Sequence, residues 1–399
     1  MTHEIVPHTA AALAGVLRDA TNDRRPVTPW GAGLHQYLGY AAAPEALQLS
    51  TRALNRIIEY NPADLTLTTE AGITLDDVRR TLATHRQWLP WDPPAPGTAT
   101  IGGLLASGAG GPLRLGYGSP RDWTLGMRVA LGDGRLVKSG GRVVKNVAGY
   151  DLHKLHLGAL GTLGVIVEVT FKLAPLPDSM TTITVECDDL AQACRLAAQL
   201  RERPLAPVSL AIVSEPANGN AARGSVLLAA RFAGAAGGVA RQISAALSIA
   251  ALHNLNASTH TGDLDTSVWR RISTIGAPPD HDRTLLLRVG VPPSALHDAM
   301  NALQRHAPGD SVRIAGHAGV GLAHAWWQEI EAHAAMRALD GLRASLGNLG
   351  GYAVVERAPE ALRAQLNLWG PSPAALPLMQ ALRQRWDPAG ILNRGRFIV

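Results

Sequence analysis

Cysteine is almost absent: 399 residues hold two, Cys187 and Cys194. Two thiols are too few for a four-cysteine iron–sulfur cluster or a Cys-rich zinc site, so neither is expected of this chain alone. So low a count also suits a reducing compartment, and a cytoplasmic location is expected. Strand alternation in Thr182–Cys187 puts Cys187 on the apolar face with Ile183 and Val185. Helical spacing groups Cys194 with Leu190, Ala197 and Leu200, so core packing is the expected role of both thiols. Lysine is nearly as scarce. Lys138, Lys145, Lys154 and Lys172 are the whole set, gathered in one segment beside a glycine-rich stretch, which suggests an anionic ligand. Aromatic residues make up only 5%, and no Lys/Arg run is interleaved with them. The formal charge of +5 therefore reads as a mildly basic surface and not a nucleic-acid groove. No clean apolar run is long enough for a membrane span. The start, with His3 and Glu4 and no basic cluster, does not read as a signal peptide. No long polar or like-charged tract argues for disorder.

Glycine is abundant, with 41 residues. Three stretches stand out: Pro29-Trp-Gly-Ala-Gly33, the run from Pro96 to Gly111, and Gly158-Ala-Leu-Gly-Thr-Leu-Gly-Val-Ile166. Glycine lets backbone approach a ligand and turn its N–H groups inward, so the three together predict a diphosphate cradled by several loops. The second run lies just ahead of a small-residue helix. That predicts free amides and the positive end of a helix dipole at one point, unless the small residues only permit a tight crossing. The third has GxxGxxG spacing and precedes a strand, so it fails the context of a Rossmann nicotinamide site.

Periodicity predicts a helix over 10–20, a strand over 26–30 and short strands within 46–60 and 64–71. It also predicts a helix capped by Thr74, a hairpin over 124–139 turning at 132–134, and a closing strand over 165–173. Pro175-Leu-Pro177 marks a boundary. Beyond it two βαββαβ-like units follow one another, predicting an antiparallel sheet with helices. The first spans strand 181–187, helix 189–202, strands 208–214 and 225–232 and helix 236–252. The second spans strand 284–291, helix 294–306, strands 311–317 and 319–326, helix 334–346 and strand 352–356. The reading is α+β overall, with domains at 1–175 and 176–385 and a polar tail at 386–399 that returns to a site.

Several of these motifs, in order over residues 20–173, resemble the FAD-binding domain of the vanillyl-alcohol-oxidase (PCMH) type. They are Pro29 to Gly39, Leu54 to Leu75, Pro96 to Gly103, Gly116 to Gly126 and Gly161 to Ile166. The resemblance implies a two-subdomain FAD-binding domain followed by an α+β cap. It assigns flavin contacts to Pro29, Trp30, Gly31, Ala32, Gly33, Leu34 and His35. It assigns others to Pro96, Gly97, Thr98, Thr100, Ile101, Gly102, Gly103, Ser107, Gly108 and Gly110. Tyr117, Arg121, Asp122, Gly161, Thr162, Gly164, Val165 and Ile166 complete the loops, and Asn393 of the tail would approach the isoalloxazine. Relatives that attach flavin covalently place His directly after Gly-Gly. Here Leu34 intervenes before His35, so non-covalent FAD is expected.

Val144-Lys-Asn-Val-Ala-Gly-Tyr-Asp-Leu152 is similar to the signature of the FAD-binding (E-type) subunits of bacterial glycolate oxidases. That resemblance implies oxidation of a 2-hydroxy acid within a complex. Its partners would be a homologous flavin catalytic subunit and an iron–sulfur subunit, and it would reach the inner face of the membrane only through them. Tyr150, Asp151 and His153 are read as ordering or capping residues. Relatives that oxidise 2-hydroxy acids often carry GHxGDGNxH, and this chain has Gly316-His-Ala-Gly-Val-Gly-Leu-Ala-His324. His317 and His324 keep the spacing and are the candidate catalytic pair. The acidic and amide positions are Val320 and Leu322, and two histidines without a carboxylate make a weak metal site, so no metal is assigned. The same pair also reads as two ordinary strand residues. Two further readings stay open: a stand-alone flavin dehydrogenase for D-lactate or another D-2-hydroxy acid, and a non-catalytic assembly subunit that keeps the fold.

Overall fold

A computed structural model describes residues 4–142, 149–202, 204–216, 225–275, 284–309, 312–328 and 330–399. The signature residues 144–148, Lys145 among them, lie outside the described residues. The chain divides into two compact units. One comprises Met1–Gly110, Gly118–Leu176 and Pro371–Val399, the other Gly111–Tyr117 and Pro177–Gly370.

The first unit is built on two sheets. Helix Ala10–Asn22 begins where Thr9 accepts the Ala12 amide at 3.1 Å, and it buries Leu13, Leu17 and Ala20. These side chains join a three-stranded parallel sheet, in the order Glu4–Ile5, Leu47–Ser50, Val27–Trp30. The C-terminal tail completes this layer. Val27 donates to Ile391 O at 2.8 Å and accepts from the Asn393 amide at 2.9 Å, while Ile391 and Leu392 enter the same core. The second sheet is antiparallel, in the order Ile57–Asn61, Thr66–Glu70, Val165–Lys172, Thr124–Ala130, Leu136–Gly140. Helix Leu75–Ala83, capped by Thr74, packs Leu75, Val78 and Leu82 against Leu67, Leu104 and Phe171.

The second unit holds one eight-stranded antiparallel sheet. Its spatial order is Ala257–Thr261, Ser179–Cys187, Ser225–Gly234, Ser209–Glu215, Val312–His317, Leu322–Trp327, Leu285–Gly290, Tyr352–Arg357. Each half is a βαββαβ unit, and the halves join where Ser209–Glu215 pairs with Val312–His317. Strand Ala257–Thr261 and helix Gly262–Thr274 have no counterpart in the sequence reading. Ala-Ser-Thr-His-Thr shows no apolar alternation because it forms a largely exposed edge. The helix is anchored by one buried tryptophan, Trp269, and a buried ion pair, Asp265 with Arg231 at 2.8 Å.

Two segments lie elsewhere than the sequence reading put them. Residues 371–385, read there as part of the second domain, cluster with the first unit. They include helix Leu376–Trp386, which has no fully buried residue and so no clear apolar stripe. Gly111–Tyr117 clusters with the second unit, where the Gly116 amide donates to Val208 O at 3.0 Å.

Candidate functional site

Glycine segments from three parts of the first unit converge on one cleft, enclosing about 770 Å³ with its open mouth included. Residues 29–36 form one wall. The strand Val27–Trp30 ends there, and the Thr51 amide ties Trp30 O at 2.7 Å. The chain then folds back on the indole: Gly33 has φ +76°, and a Cβ there would stand 2.6 Å from the Trp30 ring. Gly31 lies so close to Thr100 that a Cβ would overlap its Oγ1. Residues 99–107 form the second wall, and residues 156–166 the third, together with Asn393 and Arg396 of the tail.

The helix Ile101–Ser107 does not offer the free N-terminus expected of it. Ile101 donates to Ile73 O at 2.9 Å, Gly102 to Ala71 O at 2.7 Å and Gly103 to Thr100 Oγ1 at 3.4 Å. The extended chain at 71–73 runs beside the helix start and consumes its amides, and Gly102 admits this close approach to Ala71. Free donors lie elsewhere. The amides of Ala32, Gly33 and Leu34, and those of Gly161 and Gly164, find no protein acceptor among the described residues. Backbone donors left open along a cleft suit an anionic diphosphate.

Of the residues assigned to flavin, the cleft gathers Pro29 to His35, Thr100, Gly102, Gly103, Ser107, Gly161, Gly164, Val165, Ile166 and Asn393. Others do not line it. Pro96 and Thr98 are exposed, and Gly97 packs on the Asp76 carboxylate. Ile101 is fully buried, and Thr162 is buried with its hydroxyl donating to Ala159 O at 2.7 Å. Gly108 is the left-handed cap of the helix, and Gly110 follows it outside the lining. Arg121 is exposed, and Asp122 serves as a helix cap, accepting from Ser119 N at 2.7 Å. Tyr117 belongs to the second unit.

Sequence reasoning passed over His156, Leu160, Thr51, Gln36 and Arg396, all of which line the cleft. The tail spacing offered a signal for Arg396, three residues beyond Asn393. Its buried guanidinium donates to Leu38 O at 3.0 Å, His35 O at 3.2 Å and Gln36 Oε1, so the tail fixes the first glycine wall. The Asp387 carboxylate accepts from the Ile391 and Leu392 amides at 3.1 and 2.8 Å and turns the tail into place.

His317 and His324 lie in the second unit on neighbouring strands. Register pairs Ala315 with His324 and His317 with Leu322, so the two rings share a face, 5.9 Å apart and edge to face. Burial, with His324 and Arg114 adding to it, pushes His317 down to about 3, and its Nδ1 has no partner among the described residues. Burial also lowers His324, against the pull of Glu356, whose Oε2 lies 3.9 Å from Nε2. Glu356 is engaged by Arg288 Nε at 2.6 Å, and Arg288 also donates to Tyr352 Oη at 2.9 Å. Burial thus keeps both imidazoles neutral and makes them weak bases, and the nearby carboxylate is already engaged by Arg288. Among the described residues no three His, Cys, Asp or Glu side chains are grouped to hold a metal.

Residues 2–140 match the family described as FAD binding domain. The chain is 36% identical over 199 residues to glycolate oxidase subunit GlcE of Escherichia coli (strain K12), covering 50% of this chain and 56% of that protein. It is 30% identical over 212 residues to glycolate oxidase subunit GlcD of Bacillus subtilis (strain 168), covering 53% and 45%. A D-2-hydroxyglutarate dehydrogenase of Xanthomonas citri pv. viticola is 36% identical over 172 residues, covering 43% and 36%. The matches thus span about half or less of these relatives' own lengths. Among solved structures, an alkyldihydroxyacetonephosphate synthase superposes with a TM-score of 0.72 over 99% of this chain and 77% of its own, at 16% identity, which shows a shared fold. Among the described residues no helix is long and apolar enough to cross a membrane.

Proposed function

We propose that this chain is the FAD-binding subunit of a glycolate oxidase-type complex. It takes part in oxidising glycolate, or a related 2-hydroxy acid, to the 2-oxo acid, and electrons pass to an iron–sulfur subunit. The observation that carries this reading is the cleft of the first unit, with open backbone amides at 32–34, inside the segment that matches the FAD binding domain family, and at 161 and 164 beyond it. Bound FAD supplies the two-electron acceptor for the CH–OH carbon. The chain's own residues hold it. Amides of Ala32, Gly33, Leu34, Gly161 and Gly164 bind the diphosphate, Arg396 fixes the first wall, and Asn393 approaches the isoalloxazine. FAD is held without a covalent bond, because His35 follows Leu34 and not a glycine pair. Two cysteines leave the clusters to a partner chain, and a homologous flavin subunit carries the primary oxidation. The chain works in the cytoplasm, reaching the membrane's inner face through its complex.

The pairing of His317 and His324 on one face of the sheet, 5.9 Å apart, supports a second reading, a stand-alone D-2-hydroxy-acid dehydrogenase in which substrate binding raises the basicity of one imidazole enough to take the hydroxyl proton. The visible spectrum of the purified chain, before and after anaerobic glycolate or D-lactate, separates the readings. The subunit reading expects a flavin spectrum that stays oxidised with the chain alone and bleaches once partner subunits are added. Bleaching by the chain alone, abolished in His317→Ala, selects the second reading. A flavin that neither substrate nor partners reduce marks an assembly subunit. Failure to take up any flavin, even on reconstitution, overturns all the FAD-based readings.

A further inference from the structure

The FAD cleft contains a buried imidazole that the glycine motifs do not account for. His156 follows the turn Leu152–Leu155, lines the cleft and is only 5% exposed. One face of its ring lies on the indole of Trp386, with centroids 5.1 Å apart and planes 13° from parallel. Trp386 is the last residue of helix Leu376–Trp386, so the C-terminal helix fixes the orientation of this ring. His156 Nδ1 is buried and has no hydrogen-bond partner among the described residues.

A second orphaned atom lies nearby. A Cβ on Gly164 would stand 3.3 Å from His156 Cε1, and a Cβ on Gly161 would stand 3.3 Å from Asn393 Nδ2. His156 and Asn393 therefore both abut the same glycine turn. Asn393 Oδ1 is likewise buried without a partner, although its Nδ2 donates to Leu160 O. Among residues lining the cleft, these two carry the orphaned side-chain atoms. Folded proteins seldom leave buried polar atoms unmatched except where a ligand, water or ion completes them.

We propose that His156 is a cofactor-contacting residue. Its neutral imidazole hydrogen-bonds a polar group of bound FAD at the end of the cleft shared with Asn393, and Trp386 is the positioning residue that holds the ring. This inference rests on the FAD reading of the cleft. A neutral imidazole has one N–H donor and one acceptor, so it matches a hydroxyl or a carbonyl edge of the dinucleotide. The C-terminal helix is thereby part of the cofactor site.

The test is FAD affinity of the apoprotein, measured by quenching of flavin fluorescence, together with the visible band positions of the bound flavin. His156→Phe keeps a ring for Trp386 and removes both nitrogens. His156→Asn returns a polar atom near the position of Nδ1. The expected result is about tenfold weaker binding and shifted bands for His156→Phe, with His156→Asn recovering most of the affinity. Trp386→Leu leaves the cleft lining intact and is expected to weaken binding about threefold or more, an arm that survives if His156→Phe does not fold. Wild-type affinity and unchanged bands in His156→Phe and Trp386→Leu alike would make the stack a packing feature and overturn the proposal. Absence of FAD uptake by the wild-type chain overturns the underlying reading instead, and that outcome is visible before any variant is made.

Discussion

The cleft of the first unit and the Arg231 network of the second treat buried polar atoms in opposite ways. In the second unit Arg231 donates to Asp265 at 2.8 and 3.2 Å, Thr182 donates to Asp265, Trp269 Nε1 donates to Thr182 at 2.6 Å, and the guanidinium sits 4.9 Å above the Trp269 ring. Every partner is internal, and the result pins helix Gly262–Thr274 to strand Ser179–Cys187. In the cleft His156 Nδ1 and Asn393 Oδ1 are buried with no protein partner among the described residues, and the partly exposed amides beside them at Ala32 and Gly33 have none either. The difference teaches where to look for a ligand. A network that closes on itself stabilises, while one left open in a concave wall awaits a molecule that completes it.

Opening the closed network has the largest expected effect. Asp265→Ala leaves the Arg231 guanidinium buried without its carboxylate, a change of about 3–5 kcal/mol in stability. Thermal unfolding followed by calorimetry reads it, and the flavin content of the folded fraction is expected to stay at the wild-type level. A parallel fall in flavin content would erase the distinction between the two regions.

Acid is the next lever. His156 is pushed down to about 4 by burial, with His153 adding to it, while the unfolded ring titrates near its ordinary value of 6.5. The unfolded chain therefore binds the proton first. Stability contributed by the neutral ring is present above pH 6.5 and is lost as pH falls through about 4, a loss on the order of 3 kcal/mol. Denaturant melts at stepped pH check the slope, and His156→Phe is expected to flatten it. Added FAD is expected to move the loss to lower pH, because a ligand held by the neutral ring resists its protonation. An FAD-independent slope would place the ring outside the site.

The smallest effect sharpens the comparison most. Gly31→Ala drives a methyl into Thr100 Oγ1 and pushes the two glycine walls apart. The expected consequence is FAD binding weaker by about tenfold, or ~1.4 kcal/mol, with little change in unfolding of the apoprotein. The double variant Gly31→Ala, Thr100→Ala is expected to regain part of that affinity, less than fully because Thr100 also caps the helix. Fluorescence titration of the three proteins measures it.

Much of the architecture was legible in the chain. The duplicated βαββαβ pattern appears in short apolar runs such as Leu285–Gly290, buried at nearly every position, and in amphipathic helices such as Leu296–Arg305, which bury one face. Strand Ala257–Thr261 and helix Leu376–Trp386 were not legible, since an exposed edge and a half-buried helix leave weak periodic signals. Of the site, the glycines at 31, 33, 161 and 164 announced themselves. His156 did not, because one histidine in an otherwise ordinary turn gives no pattern.

The sequence by itself determined which backbone could approach a ligand closely, since only glycine tolerates φ +76° at residue 33 beside the Trp30 ring. Only the tertiary structure decided which amides are free. Residues 71–73 lie against Ile101 and Gly102 and consume the helix end that the sequence offered, leaving the donors at 32–34, 161 and 164. It also decided that the tail reaches the cleft, through hydrogen bonds from Arg396 to residues 35–38 across more than 350 positions of chain. Propensity and spacing act between neighbours in sequence, whereas hydrogen-bond satisfaction is settled only when distant segments meet.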